Sequence, residues 1–275
     1  MYHRFEEKLE SYVRMEKPES ILPHLPENLK NLHKEEERIR VESLLAINAD
    51  SASKDHLHMI EASLDTIHAF TILHEKPSRD ELTIQLLGIR LFNAGASALA
   101  LLLAGYYQNS VMLQRDLLET GFLVDYLTTH RAKIQEWRES NDKERENKFS
   151  QRKIREALDA HDNATGKRRA FIYKLMCKYG AHPSYEAFRL VSPNGISQIG
   201  PFFEPKFLKH LLEELVKNLT YFALVHSGHF SGVPIGLLSG KAAFLEELRV
   251  WAGKYLGPEL GHIVYWQCRG EGRQP

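Results

Sequence analysis

Residues 110–130 read Ser110-Val-Met-Leu-Gln-Arg-Asp-Leu-Leu-Glu-Thr-Gly-Phe-Leu-Val-Asp-Tyr-Leu-Thr-Thr-His130. The apolar positions Val111, Leu113, Leu117, Leu118, Phe122, Leu123, Val124 and Leu127 point in every direction around a helix and leave no continuous polar face. A helix of that kind is buried on most sides, so its few polar residues must find partners inside the protein. Arg115, Glu119 and Tyr126 fall at i, i+4 and i+11, one narrow stripe at 100° per residue, and His130 continues it if the helix persists.

The preceding segment has the same character. Ser78-Arg-Asp-Glu81 has capping-box spacing and opens a long apolar run to about Tyr106. Within it, Leu86 to Tyr107 is apolar enough to span a bilayer, but Arg90 and Asn93 interrupt it and Gly, Ala and Ser crowd it. We read it as a buried helix that its neighbours approach closely, with no membrane partner. Arg90, Asn93 and Ser97 form its own sparse polar stripe. A short turn at Gly105–Asn109 makes the two helices antiparallel neighbours whose stripes would meet.

Further helices follow from periodicity and punctuation. The pattern predicts helices over Tyr2–Lys17, from Pro26 to about Asn48, and from a cap at Asp50 or Ser51 to about His74. Lys133–Glu139 is a short helix, and the capping-box pair Asn141 and Glu144 opens a polar helix to about Ala160. Lys167–Tyr179 presents Phe171, Ile172, Leu175, Met176 and Tyr179 as its apolar face, with Gly180 as its C′ residue and Pro183 preventing continuation. Only 188–200, around Pro193-Asn-Gly195, reads as a small hairpin or loop. Pro205 opens a helix to about Val225, and a last helix covers Lys241–Tyr255. The fold predicted is an all-α multi-helix bundle over 78–275, with residues 1–77 supplying accessory helices.

Composition excludes several classes. Lys+Arg and Asp+Glu are both 36 in 275 residues, which argues against a general basic coat for nucleic acid, although a local basic face would restore that function. Two cysteines exclude a disulfide framework and a four-cysteine zinc site. The first residues alternate charges through their apolar positions, without a signal-peptide core, so the expected setting is cytoplasmic. His226-x-x-His229 has metal-pair spacing, but the neighbouring Ser-Gly pairs place it in a loop without a third ligand. We expect no cofactor and no metal.

Arg115 with Glu119 has two readings: a dry site that clamps a phosphate or exchanges a proton, or an interior ion pair that fixes helix register. His182, just past a helix end, is placed to enter a cleft or to interact with the helix dipole.

Three stretches taken together, Leu101–Tyr107, Leu113–Glu119 running into Asp125-Tyr-Leu127, and Tyr173–Ser184, resemble a group of uncharacterised bacterial helical proteins similar to HEPN domains. In that pattern a buried helix carries an Arg and a Glu four residues apart. A later helix ends in a Tyr-x-x-His-Pro-like turn and meets it in the bundle. The resemblance implies a helical fold, dimerisation and a link to bacterial defence or RNA biology. It implies that Arg115 and Glu119 organise a pocket and that His182 is the acid/base or phosphate contact. Arg90, Asn93, Tyr126 and Tyr179 are the binding residues expected around it. HEPN domains of the nuclease kind are metal-independent ribonucleases whose signature is an Arg, four to six intervening residues, then a His. Here no Arg stands at that distance before His182, and only Arg155 and His161 have the spacing. The functions expected are therefore an RNA-directed HEPN-like protein, as ribonuclease or RNA binder, or a non-catalytic protein-interaction module.

Overall fold

The computed structural model describes residues 25–72 and 77–256. The helix expected over Tyr2–Lys17 lies outside the described residues. Among the described residues ten α-helices follow one another: α1 (Glu27–Ala49), α2 (Ser51–Ile72), α3 (Arg79–Leu103), α4 (Tyr107–Thr129), α5 (Lys133–Glu139), α6 (Asp142–Lys148), α7 (Gln151–His161), α8 (Arg168–Met176), α9 (Pro205–His229) and α10 (Ile235–Tyr255). Among the described residues no strand forms. The chain is an all-α multi-helix bundle.

Local chemistry sets the boundaries. Ser78 Oγ accepts from the Glu81 amide at 3.2 Å, and Glu81 Oε2 accepts from the Ser78 amide at 2.8 Å, which starts α3. Asn141 and Glu144 make the same reciprocal pair at the start of α6. Asp50 caps α2 by accepting from the Ser53 amide at 3.2 Å and its hydroxyl at 2.7 Å. The polar helix expected to run from Asn141 to Ala160 is two helices, broken at Phe149–Ser150. The cause is burial: α6 has no buried residue, whereas Phe149 is buried and meets the Tyr126 ring edge-on at 6.2 Å. Breaking the helix there turns Phe149 inward, and Ile154 and Leu158 of α7 follow it into the core.

The centre of the bundle is α2, α3, α4 and α9. Ile60, Ile67, Leu91, Ala98, Leu117, Val124, Leu212 and Phe222 belong to one buried cluster. Helix α2, which lies before residue 78, shares that core. Polar side chains stitch it together. Ser63 Oγ donates to the Met59 carbonyl at 2.7 Å and is hydrogen-bonded with Thr220 Oγ1 at 3.1 Å. Ser110 Oγ donates to the Ala98 carbonyl at 2.8 Å across the α3–α4 turn. Buried hydroxyls bonded in this way cost little to exclude from water.

Helix α3 is the one helix among the described residues long and apolar enough to cross a membrane by length and composition. It packs on α2, α4 and α9, and ten of its residues, from Thr83 to Leu102, are buried.

Of the two forms expected near 188–200, hairpin or loop, the hairpin does not form. Instead 3-10 turns cover Tyr185–Val191 and Pro193–Gly195, and the chain after them is tied back by the Gln198 amide to the Val191 carbonyl at 2.8 Å and by Ser197 Oγ to Ser192 Oγ at 3.0 Å. The Pro193-Asn-Gly195 turn is present, with Asn194 at φ 55°, but the flanking apolar residues Ile196 and Ile199 face solvent rather than pairing as strands.

Candidate functional site

Arg115 and Glu119 sit one turn apart on the side of α4 that faces α8. Arg115 Nη2 donates to Glu119 Oε1 at 2.6 Å and to the Tyr173 hydroxyl at 3.1 Å. The Tyr173 hydroxyl in turn donates to Glu119 Oε1 at 2.6 Å. Arg115 Nε donates to Cys177 Sγ at 3.1 Å. Tyr173 and Cys177 are themselves at i and i+4, so two helices present matching pairs to one another. The Arg115 and Glu119 side chains are only 27% and 23% exposed, which keeps the pair partly shielded from solvent.

A third element joins them. Arg155 of α7 lies on the Tyr173 ring, its guanidinium carbon 3.9 Å from the centroid, with that of Arg115 5.5 Å from the same centroid. Arg155 Nε and Nη1 are buried and have no acceptor among the described residues. Gln151, one turn earlier, donates from Nε2 to the Glu119 carbonyl at 3.1 Å. The cluster therefore holds two guanidinium groups and one carboxylate around a single phenol ring.

The electrostatics follow from this packing. Burial, then the bond to Glu119, pushes the Tyr173 hydroxyl up to about 12, so it stays a neutral donor. Burial works against the Arg115 charge, but the bonds to Cys177 and Tyr173 and the Glu119 charge outweigh it and raise its pKa. The group is fixed as a cation.

The approach of α8 to α4 depends on its ending. After Met176 the chain makes a π turn over Cys177–Ala181. Gly180 was expected as a C′ residue beyond the helix, but it lies inside this turn, and its importance is close approach. A Cβ there would stand 2.9 Å from the Met112 nitrogen and 3.0 Å from the Val111 carbonyl carbon, both on α4. The apolar face expected for α8 is also displaced. Phe171 and Leu175 are exposed, whereas Tyr173 and Met176 face inward. The polar pair Tyr173 and Cys177 was the signal overlooked.

The remaining expected residues are distributed around this cluster rather than in it. Arg90 reaches α4, as the facing stripes required, but its partners are Thr120 Oγ1 at 3.1 Å and Asp116, not Arg115 or Glu119. Asn93 and Ser97 are exposed. Tyr126 stacks on His130 at 4.6 Å, and His130 Nδ1 donates to the Tyr126 carbonyl at 3.1 Å. The His130 ring lies 6.2 Å from that of His161. At 1.5 Å per residue, Tyr126 is about 10 Å along α4 from Glu119, so it lines a different patch. Tyr179 is half-buried in the π turn. His182 follows that turn. Its amide bonds to the Cys177 carbonyl at 3.2 Å, but its side chain is exposed and is not among the groups bonded to Arg115 or Glu119. Arg155 and His161 also diverge, Arg155 toward Tyr173 and His161 toward Asp162 at 3.1 Å.

Two further findings bear on chemistry. His226 and His229 are on α9 and buried, not in a loop. Burial, with His229 nearby, pushes His226 down to about 3, and burial with the Arg131 charge pushes His229 down to about 4. Among the described residues no group of three or more His, Cys, Asp or Glu side chains is placed to hold a metal. Beside the first cluster, Tyr221 donates to Asp125 Oδ2 at 2.7 Å, and Arg169 binds Asp159 at 2.7 Å and Asp162.

No family model, curated protein or solved structure matches this chain.

Proposed function

We propose that the chain is an RNA-directed, HEPN-like helical protein whose role at this cluster is to bind RNA phosphate. The observation that carries this reading is Arg155. Its guanidinium is oriented by stacking on Tyr173, while Arg115 is already matched by Glu119. One positive charge is thereby left over in a partly buried setting, and a guanidinium charge suits a phosphate. The meeting of the Arg115–Glu119 pair with the helix that leads into His182 and Pro183 also agrees with the resemblance.

Binding is favoured over cleavage. A general acid or base must come within hydrogen-bond reach of the reacting atoms, and His182 stands outside the Arg115–Glu119–Tyr173 contacts. The test is RNA binding by purified protein, with a parallel incubation in EDTA. Arg155→Ala should weaken binding about tenfold, the value of one charge-assisted contact. RNA cleavage in EDTA that disappears in both His182→Ala and Arg115→Ala would replace this reading with a ribonuclease.

A second reading, the protein-interaction module, is favoured by α3. Leu82, Leu86 and Ile89 are exposed at i, i+4 and i+7 on one face of this helix. On this reading the partner is a second copy, consistent with the dimer that the resemblance implies. Light scattering of Leu86→Glu against the parent chain tests it, with a dimer-to-monomer change as the expected result.

A further inference from the structure

The zero net charge conceals a segment of one sign. Residues 163–203 contain six basic residues, Lys167, Arg168, Arg169, Lys174, Lys178 and Arg189, and one acidic residue, Glu186. Arg169 is occupied by Asp159 and Asp162, and Lys178 pairs with Glu186 at 3.2 Å. Lys167, Arg168, Lys174 and Arg189 remain, all exposed and without an ion pair among the described residues.

The aromatic residues of the same segment are exposed between them. Phe171 is 66% exposed, Tyr185 87% and Phe188 56%. At 100° per residue, Arg168, Phe171, Lys174 and Leu175 share one outward arc of α8. Tyr185 and Phe188 lie three residues apart in a 3-10 turn, where such positions eclipse, and their rings are 6.1 Å apart. The turn is tied to the end of α8 by Ser184 Oγ, which donates to the Lys178 carbonyl at 2.8 Å, and by the Lys178–Glu186 pair.

We infer that the outer face of α8 and the 3-10 turn after it form a platform for single-stranded RNA. Phe171, Tyr185 and Phe188 stack on bases, while Lys167, Arg168, Lys174 and Arg189 contact phosphates. This rests on the RNA reading above and adds the form of RNA and the residues that read it. Alternation of cations with open aromatic rings is the chemistry of single-strand binding, because every unpaired base has a free π face. A duplex stacks its bases internally and would engage only the cations. Protein-binding patches of comparable aromatic content are depleted in lysine at their centre.

The test uses the full chain and a fluorescein-labelled oligouridine of about 12 nucleotides, followed by anisotropy over a range of KCl concentrations. A duplex RNA of the same length and anionic lipid vesicles serve as competitors. The expected result is preference for the single strand by about tenfold, with log K falling against log salt at a slope of about −3 for four phosphate contacts. Tyr185→Ala and Phe188→Ala should each weaken binding by roughly tenfold, with unchanged far-ultraviolet circular dichroism. Lys174→Gln should reduce the slope by about 0.7. Equal affinity for the duplex, or displacement of the oligonucleotide by vesicles, overturns the platform. So does tight binding by both aromatic variants when Arg155→Ala has lost it, a pattern that leaves the RNA reading standing. Loss in the aromatic variants with full binding by Arg155→Ala supports the platform and removes the Arg155 contact. No binding by the parent chain removes both.

Discussion

The Tyr173 hydroxyl donates to Glu119 Oε1 over 2.6 Å, and this bond joins α8 to α4 at the point where Arg115 also converges. It is the only direct donor to Glu119 from α8 among the described residues. Removing the hydroxyl deletes this bond together with the one it accepts from Arg115, while the ring that supports Arg155 remains. Tyr173→Phe should lower stability by about 1 kcal/mol, as expected for a hydrogen bond to a charged but partly solvated carboxylate. Urea denaturation monitored by circular dichroism measures it. An unchanged midpoint would show that Arg115 alone satisfies Glu119.

Gly180 tests whether the close approach matters as much as the polar contacts. A Cβ at this position meets backbone atoms of α4 below or near 3.0 Å, and backbone moves less readily than a side-chain tip. Gly180→Ala should therefore push the π turn away from Val111 and Met112, at a cost of about 1–3 kcal/mol. Gly228→Ala is the control, because nothing lies within 4 Å of its added Cβ and it sits near the end of α9. A larger loss at Gly228 than at Gly180 would refute the packing argument.

Much of the bundle was readable because its signals are local. Ser78 with Glu81 and Asn141 with Glu144 state helix starts in four residues each, and α5 was legible to the residue. The Arg115–Glu119 pair was readable for the same reason: both partners lie on one turn. Residues whose partners come from distant elements were harder to place. Nothing adjacent to Arg90 shows that it bonds Thr120 and Asp116 instead of Glu119, and nothing adjacent to Tyr173 shows that α8 rotates to bury it while exposing Phe171. Glycine spacing misled the reading of His226 and His229, because Gly228 lies open on a helix that tertiary packing carries through it. The overall charge sum misled in another way, since equal totals over 275 residues do not reveal the basic run between 163 and 203.

The capping box of α3 gives a prediction independent of any function. Ser78→Ala removes the acceptor for the Glu81 amide and leaves the first turn short of one partner. The expected loss is about 1 kcal/mol. Ser78→Asp should recover most of it, since a carboxylate also accepts at this position and favours the positive end of the helix dipole. Thermal denaturation of both variants measures the difference, and equal loss in the two would rule out capping as the cause.

His226 is fully buried on α9, where its ring lies against Gly88 and the Phe230 ring. Its folded pKa of about 3 lies below the ordinary histidine value, so between that value and about 6.5 the unfolded chain binds a proton that the folded chain refuses. His226 therefore leaves stability intact above about pH 6.5 and withdraws it as the pH falls toward 3. His229, displaced in the same direction to about 4, adds to the effect. Carboxylates such as Asp55 and Glu213, whose pKa values are lowered by Lys254 and Lys217, lose their contribution at lower pH still. Between pH 7 and pH 5 the histidines dominate, and His226 alone should cost on the order of 2 kcal/mol. Urea denaturation at the two pH values measures this loss. His226→Leu should reduce it by about the same amount even if the variant is less stable at both. The same drop in parent and variant would show that the His226 ring takes up its proton inside the folded protein without penalty.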